Sequence, residues 1–79
     1  MATYKYSSYL QEGTSDEFDK VYGPGKIVPW SGIYRCMGCN REIASNENDP
    51  FPPQNHHQHS AGQDDIRWRL IVYADHKAK

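Results

Sequence analysis

The chain has 79 residues, of which 37% are hydrophobic and 24% are charged, and its formal net charge is -1. This length allows one small domain, whose core usually needs a disulfide, a metal or a partner chain to be stable. No apolar run approaches the roughly 20 residues that span a bilayer, and polar residues follow Met1, so we expect a cytoplasmic protein with no membrane segment. The balanced charge gives no global basic surface for nucleic acid.

The first 22 residues are predicted to form a flexible N-terminal arm. Their tyrosines alternate with small polar residues, and no sustained apolar pattern follows. Ser15 is suited to cap one short helical turn, with Asp16 and Glu17 at the positive end of that turn. So short a turn is not stable alone. The composition favours an acidic, tyrosine-bearing tail, and the alternative is a segment that binds a partner.

The ordered domain is predicted to span residues 23–75, followed by a short tail at 76–79. The break at its start is the sequence Gly23-Pro24-Gly25, which strongly disfavours regular structure. We expect a mostly β domain, a small zinc-ribbon-like antiparallel sheet of three to four strands.

Three segments have the composition of β-strands. Residues 33–35 are β-branched and aromatic and lead directly into a cysteine, and residues 41–45 are a plausible return strand. Residues 66–73 give the strongest pattern, because apolar side chains alternate there with two arginines. This last strand could be a sheet edge that pairs with another chain, so the sequence leaves the oligomeric state open.

The two cysteines, Cys36 and Cys39, are separated by two residues, and this spacing allows three chemistries. A disulfide would close so small a loop that it would stabilise the fold little. A thioredoxin-like redox pair normally places its first thiol at a helix N-terminus, which the preceding β pattern disfavours. A metal knuckle suits the pair best, and Gly38 fits such a turn because it tolerates positive φ.

Zinc needs two more nitrogen or sulfur ligands, and three of the four histidines lie close together. His56 and His59 repeat the cysteine spacing, which yields the pattern Cys-x2-Cys-x16-His-x2-His. His57 could replace either neighbour. The alternative is that these histidines are solvated loop residues beside a free cysteine pair.

One block of the chain resembles a family of small bacterial zinc-ribbon proteins. The shared features are Pro24-Gly25, Pro29, Ser31-Gly-Ile-Tyr-Arg-Cys36, Cys39, Glu42-Ile43, Phe51-Pro-Pro53 and Trp68-Arg-Leu70. The resemblance implies a rubredoxin-knuckle ribbon, and it implies no particular biochemical activity. The chain departs from the pattern in two places: Asn40 replaces a glycine, and the second cysteine pair is absent, with His56 and His59 at its place when two residues are inserted.

We therefore expect a non-enzymatic, zinc-stapled binding or adaptor module with an unidentified protein partner. Trp30, Tyr34, Phe51 and Trp68 are predicted to pack around the site. An enzyme is not expected, because the sequence has no glycine-rich phosphate loop and no nucleophile elbow.

Two other classes of function remain open. A nucleic-acid-binding ribbon would use arginines and exposed aromatic side chains, and the candidate binding residues are Trp30, Arg35, Arg41, Arg67 and Arg69. A redox protein would use Cys36 and Cys39 as a dithiol.

Overall fold

The computed structural model describes residues 1–52 and 66–75. Its main element is a four-stranded antiparallel sheet. The strand order is β1-β4-β2-β3, and the strands are β1 Val21–Tyr22, β2 Gly32–Cys36, β3 Glu42–Ser45 and β4 Trp68–Tyr73. Two short 3-10 turns, Ser7–Tyr9 and Asp16–Asp19, precede the sheet. The prediction of a mostly β, antiparallel fold is confirmed, and three of the strands lie where the sequence pattern places them.

β2 and β3 form a hairpin closed by a tight turn at the two cysteines. The N–H of Cys36 donates to the carbonyl of Arg41 at 2.7 Å, and the N–H of Asn40 donates to the carbonyl of Cys36 at 2.8 Å. Asn40 has a φ of 66°, a left-handed conformation that asparagine tolerates better than most residues. The turn therefore keeps its shape although a glycine is absent at this position.

β4 lies between β1 and β2, so it is not the sheet edge that the sequence allowed. It pairs with β2 through an irregular register. Tyr34 is opposite Leu70 and Ile33 is opposite Val72, so that Ile71 is the extra residue of a β-bulge. Gly32 lies so close to the carbonyl oxygen of Val72 that a Cβ would overlap it. Glycine is therefore required at this point by the close approach of two backbones.

The alternation of side chains gives the sheet two different faces. The face that we call inner carries the buried core, whose members are Val28, Tyr34, Cys36, Phe51, Ile66, Trp68 and Leu70. The ring of Phe51 lies edge-on to Tyr34 with centroids 4.8 Å apart, and it stacks on Trp68 at 6.5 Å. The opposite face, which we call outer, carries the alternating residues Arg35 of β2 and Arg69 of β4.

Trp30 does not belong to the core, contrary to the prediction that it packs there with the other aromatic residues. It is 37% exposed and lies edge-on to Tyr73, with ring centroids 6.1 Å apart. Its indole N–H donates to Glu17 at 3.1 Å. The residue precedes β2 at the end far from the cysteines, so its ring meets the last residue of β4 rather than the core.

The sheet begins inside the segment that the sequence assigns to the N-terminal arm. Val21 and Tyr22 form β1 and pair with Arg69 and Trp68. The predicted cap is confirmed, since the Ser15 hydroxyl accepts from the N–H of Glu17 at 3.2 Å. The sheet thus includes two residues before the predicted boundary at residue 23. The sequence does not reveal this strand, because two residues are too few to produce a period.

No helix in the ranges 1–52 and 66–75 is long and apolar enough to cross a membrane.

Candidate metal centre

The two cysteines lie at the turn between β2 and β3, which we call the knuckle and define as residues 36–41. Cys36 is the last residue of β2, and Cys39 follows within the turn. The N–H of Met37 donates to the carbonyl of Arg67 at 2.7 Å, which fastens the knuckle to the residue just before β4. The knuckle is therefore held by hydrogen bonds within the turn and by one hydrogen bond to the residue that precedes β4.

The thiol of Cys36 is fully buried, and its surroundings favour the thiolate. Burial is the largest single effect and by itself raises the pKa of the thiol. Backbone N–H groups of Arg67, Cys39 and Gly38 together outweigh it and lower the pKa of Cys36 to about 7. A sulfur atom that receives several amide hydrogen bonds is suited to carry negative charge, as a metal ligand or as a redox thiolate.

Cys39 is half-buried and packs against the core, and both cysteines are thiols rather than halves of a disulfide. Within the knuckle they are close enough to interact, because the Cys39 side chain contributes a further hydrogen bond that lowers the pKa of Cys36. The predicted cysteine pair is therefore brought together by the fold.

The predicted histidine ligands His56, His57 and His59 lie outside the described residues, as does His76. The chain leaves the described region after Phe51 and Pro52 and returns at Ile66, and both Phe51 and Ile66 belong to the core that contains Cys36. Phe51 and Ile66, which flank the histidine segment in the chain, thus belong to the same buried cluster as Cys36. Among the residues described, no cluster of three or more His, Cys, Asp or Glu could hold a metal ion.

The arginines that were candidates for nucleic-acid binding occupy different positions. Arg35 and Arg69 are directly opposite each other on β2 and β4. Arg69 donates from Nε to the carbonyl of Phe18 at 2.6 Å and from a terminal nitrogen to Asp19 at 3.1 Å. Arg67 is exposed just before β4 and Arg41 is exposed in the knuckle. The structure therefore brings together two of the four arginines.

The contribution of the N-terminal residues to the outer face was missed by the sequence analysis. Residues 9–13 lie near the outer face and, with Arg35, Met37 and Arg69, border a groove of about 1240 Å³. The alternation in residues 66–73 could have placed the arginine of β4 on this face. Nothing in the sequence pairs it with Phe18, which is 51 positions away.

Comparison with known proteins shows one relationship. A protein of Escherichia coli named "Protein L" is 54% identical over 81 aligned residues, which cover 98% of this chain and 92% of that protein. No family model matches the chain, and no solved structure matches it. At this identity and coverage, the chain belongs to the same family as that Escherichia coli protein.

Proposed function

We propose that this member of the Protein L family is a non-enzymatic, zinc-stapled β ribbon that acts as a binding or adaptor module for a protein partner in the cytoplasm. The observation that carries the proposal is the buried thiol of Cys36, which receives backbone hydrogen bonds within a tight Cys-x2-Cys turn. We also propose that the protein is related to the small bacterial zinc-ribbon proteins, because its sequence motifs resemble theirs.

The donor set fits zinc. Cys36 and Cys39 would supply two sulfurs, and His56 and His59 would supply two imidazoles, with His57 as a substitute for either. Two thiolates and two neutral imidazoles balance the charge of one zinc ion, which suits a closed tetrahedral structural site. When bound, zinc would supply a crosslink between the knuckle and the histidine segment. The amide groups around Cys36 would hold its sulfur in the charged form that a metal requires.

The size of the core supports the need for a crosslink. The buried cluster of the described chain contains seven residues, and one of them is Cys36 itself. A core this small supplies only a few kcal/mol of net stability, on the order of 3–5. In the chain, the histidine segment lies between two core residues, Phe51 and Ile66. A metal bound by both this segment and the knuckle would therefore crosslink two parts of the chain that are far apart in sequence.

A redox dithiol is the second candidate, because the pKa of Cys36 is brought to about 7. A thiolate at neutral pH is the form that attacks disulfides. The burial of Cys36 opposes this function, since a substrate disulfide must reach the attacking sulfur. Cys36 is also the last residue of a β-strand, whereas the first thiol of a redox pair normally lies at the N-terminus of a helix. Both features favour a metal ligand over an exchanging thiol.

Native mass spectrometry of the purified protein, before and after chelation, tests the proposal. We expect one zinc per chain, and we expect loss of the β circular-dichroism signal when zinc is removed. Cys36→Ser and Cys39→Ser should lose the metal. Met37→Ala is a matched control in the same turn and should keep it.

Substitution of each histidine by alanine then identifies the remaining ligands. His57→Ala should retain zinc, and His56→Ala or His59→Ala should weaken zinc binding, because His57 must then take the empty place. The double variant His56→Ala/His59→Ala should lose zinc, since one histidine cannot complete a four-ligand site. A metal-free protein that keeps its fold and reduces a test disulfide would contradict the zinc staple and favour the redox function.

A further inference from the structure

The groove on the outer face has mostly apolar and aromatic walls. It lies between residues 9–13, the end of β2 and the second half of β4. The residues that give it this character are Tyr9, Leu10, Met37, Ile71, Val72 and Tyr73. Aromatic and aliphatic residues in a groove are the usual contacts for an extended peptide, because they bury area at little cost in conformational entropy.

Among the described residues, Arg35 and Arg69 are the two arginines that border this groove. The Nε of Arg35 is buried and has no hydrogen-bond partner in the described part of the chain. A buried donor without a partner costs free energy, and Arg35 is such an unsatisfied hydrogen-bond donor. Arg69 lies opposite Arg35 in the sheet, and two like charges at such a cross-strand position repel each other.

The acidic groups near the two arginines do not supply the hydrogen-bond acceptor that Arg35 lacks. Asp19 contacts Arg69 at 3.1 Å. Glu42 is opposite Arg35 on β3, and its buried Oε1 lies 2.9 Å from the amino group of Met1 but makes no hydrogen bond, to Arg35 or to any other described residue. Glu12 and Asp75 also border the groove. The acidic side chains therefore offset part of the positive charge without supplying an acceptor to the Nε of Arg35.

We propose that this groove binds an extended segment of a partner protein in which one Asp or Glu is flanked by apolar residues. The carboxylate meets the terminal nitrogens of Arg35, since the Nε is buried, and two terminal N–H groups of a planar guanidinium can hold a carboxylate through parallel hydrogen bonds. The flanking apolar residues lie against the groove walls. The inference rests on the proposed function in one respect, that the protein is a binding module, and it names the chemistry of the partner.

A peptide fits this surface better than a nucleic acid does. A phosphate backbone presents one negative charge per nucleotide, and Asp19, Glu12 and Asp75 would face it at close range. The formal net charge of the chain, -1, adds no long-range attraction. A ligand with one carboxylate carries a single charge instead of one per nucleotide, so it meets less repulsion, and its apolar neighbours contact the groove walls.

Selection from a phage-displayed library of random heptapeptides on the immobilised full-length protein tests the proposal. We expect the selected peptides to share one Asp or Glu flanked by apolar residues. A synthetic peptide of that consensus, labelled with fluorescein, should bind Arg35→Gln about tenfold more weakly, since one partner of a charge pair is removed. Arg35→Lys should fall between the two, because lysine keeps the charge but lacks the planar fork.

Arg41→Gln is the matched control, since it makes the same chemical change at an exposed arginine that does not border the groove. It should bind the peptide as the native protein does. Thermal melting and zinc content are measured on every variant, and if Arg35→Gln does not fold, Arg35→Lys carries the comparison.

Three results would overturn the proposal: no consensus, a consensus without an acidic residue, or binding that is unchanged in Arg35→Gln. A single-stranded DNA oligonucleotide that displaces the selected peptide and fails to bind Arg35→Gln would also overturn it, in favour of nucleic acid. A protein that contains no zinc but selects such peptides would refute the proposed zinc site and leave the proposed peptide site intact. A protein that contains zinc but selects no peptide would refute the proposed peptide site and leave the zinc site intact.

Discussion

The inner and outer faces of the sheet are built from alternating residues of the same strands, yet they differ in chemistry. On the inner face Tyr34, Cys36 and Trp68 are fully buried, and hydrogen bonds or aromatic contacts surround them. On the outer face Arg35 and Arg69 oppose each other beside a groove. The inner face thus provides stability, and the outer face carries the groove for which we propose recognition of a partner.

The difference in stability between the two faces is tested most sharply by removing one large side chain from each face. Trp68→Ala should destabilise the fold by about 3–5 kcal/mol, because it leaves a cavity beside Phe51 in the core. Ile71→Ala, on the outer face of the same strand, should cost roughly 1 kcal/mol because Ile71 is only half-buried. Urea denaturation followed by circular dichroism measures both losses, and Trp68→Phe provides a milder core variant.

Equal losses for Trp68→Ala and Ile71→Ala would contradict the assignment of stability to the inner face.

A second prediction concerns the close approach of β2 and β4. Gly32→Ala should cost about 1–3 kcal/mol, because its Cβ would overlap the carbonyl oxygen of Val72 and force the strands apart. Gly23→Ala is the matched control, since no atom beyond its own chain neighbours lies within 4 Å of the position of its Cβ. It should change the free energy of unfolding by less than about 0.5 kcal/mol. Thermal melting of both variants checks the difference, and a Gly32→Ala protein as stable as the native one would refute the register.

A smaller effect is expected from the hydroxyl of Tyr34. This group donates to the carbonyl of Trp30 at 2.6 Å, so Tyr34→Phe should cost about 1 kcal/mol at neutral pH. Burial, partly offset by that hydrogen bond, raises the pKa of Tyr34 from 10.0 to about 12.

The raised pKa of Tyr34 also predicts a dependence on alkaline pH. The neutral phenol contributes its full stability below pH 10, and this contribution is lost as pH rises from 10 towards 12. The native protein should therefore lose more stability over that range than Tyr34→Phe does. Urea midpoints of the two proteins at neutral and alkaline pH give the measurement, and parallel pH profiles would refute the buried, neutral phenol.

The strands were predictable from the sequence because they are long enough to show a period. The alternation in residues 66–73 places Trp68 and Leu70 on one face, and the structure buries both. β1 could not be predicted, since Val21 and Tyr22 are too few to form a pattern and are held by pairing with a strand far along the chain.

The candidate sites were predictable to different degrees. The knuckle follows from the spacing of Cys36 and Cys39, because a turn of this length depends on local chain geometry alone. The groove depends on the register that sets Arg35 opposite Arg69 and on contacts made by residues 9–13, which are long-range features. The sequence also suggested a core position for Trp30, since it cannot tell a core indole from one at the end of a sheet.

X-ray absorption at the zinc edge of the purified protein tests the central claim most directly. The account predicts a shell of two sulfur atoms at about 2.3 Å and two nitrogen atoms at about 2.0 Å, as expected for two cysteines and two histidines. A zinc site without sulfur, or a folded protein that contains no zinc, would contradict it.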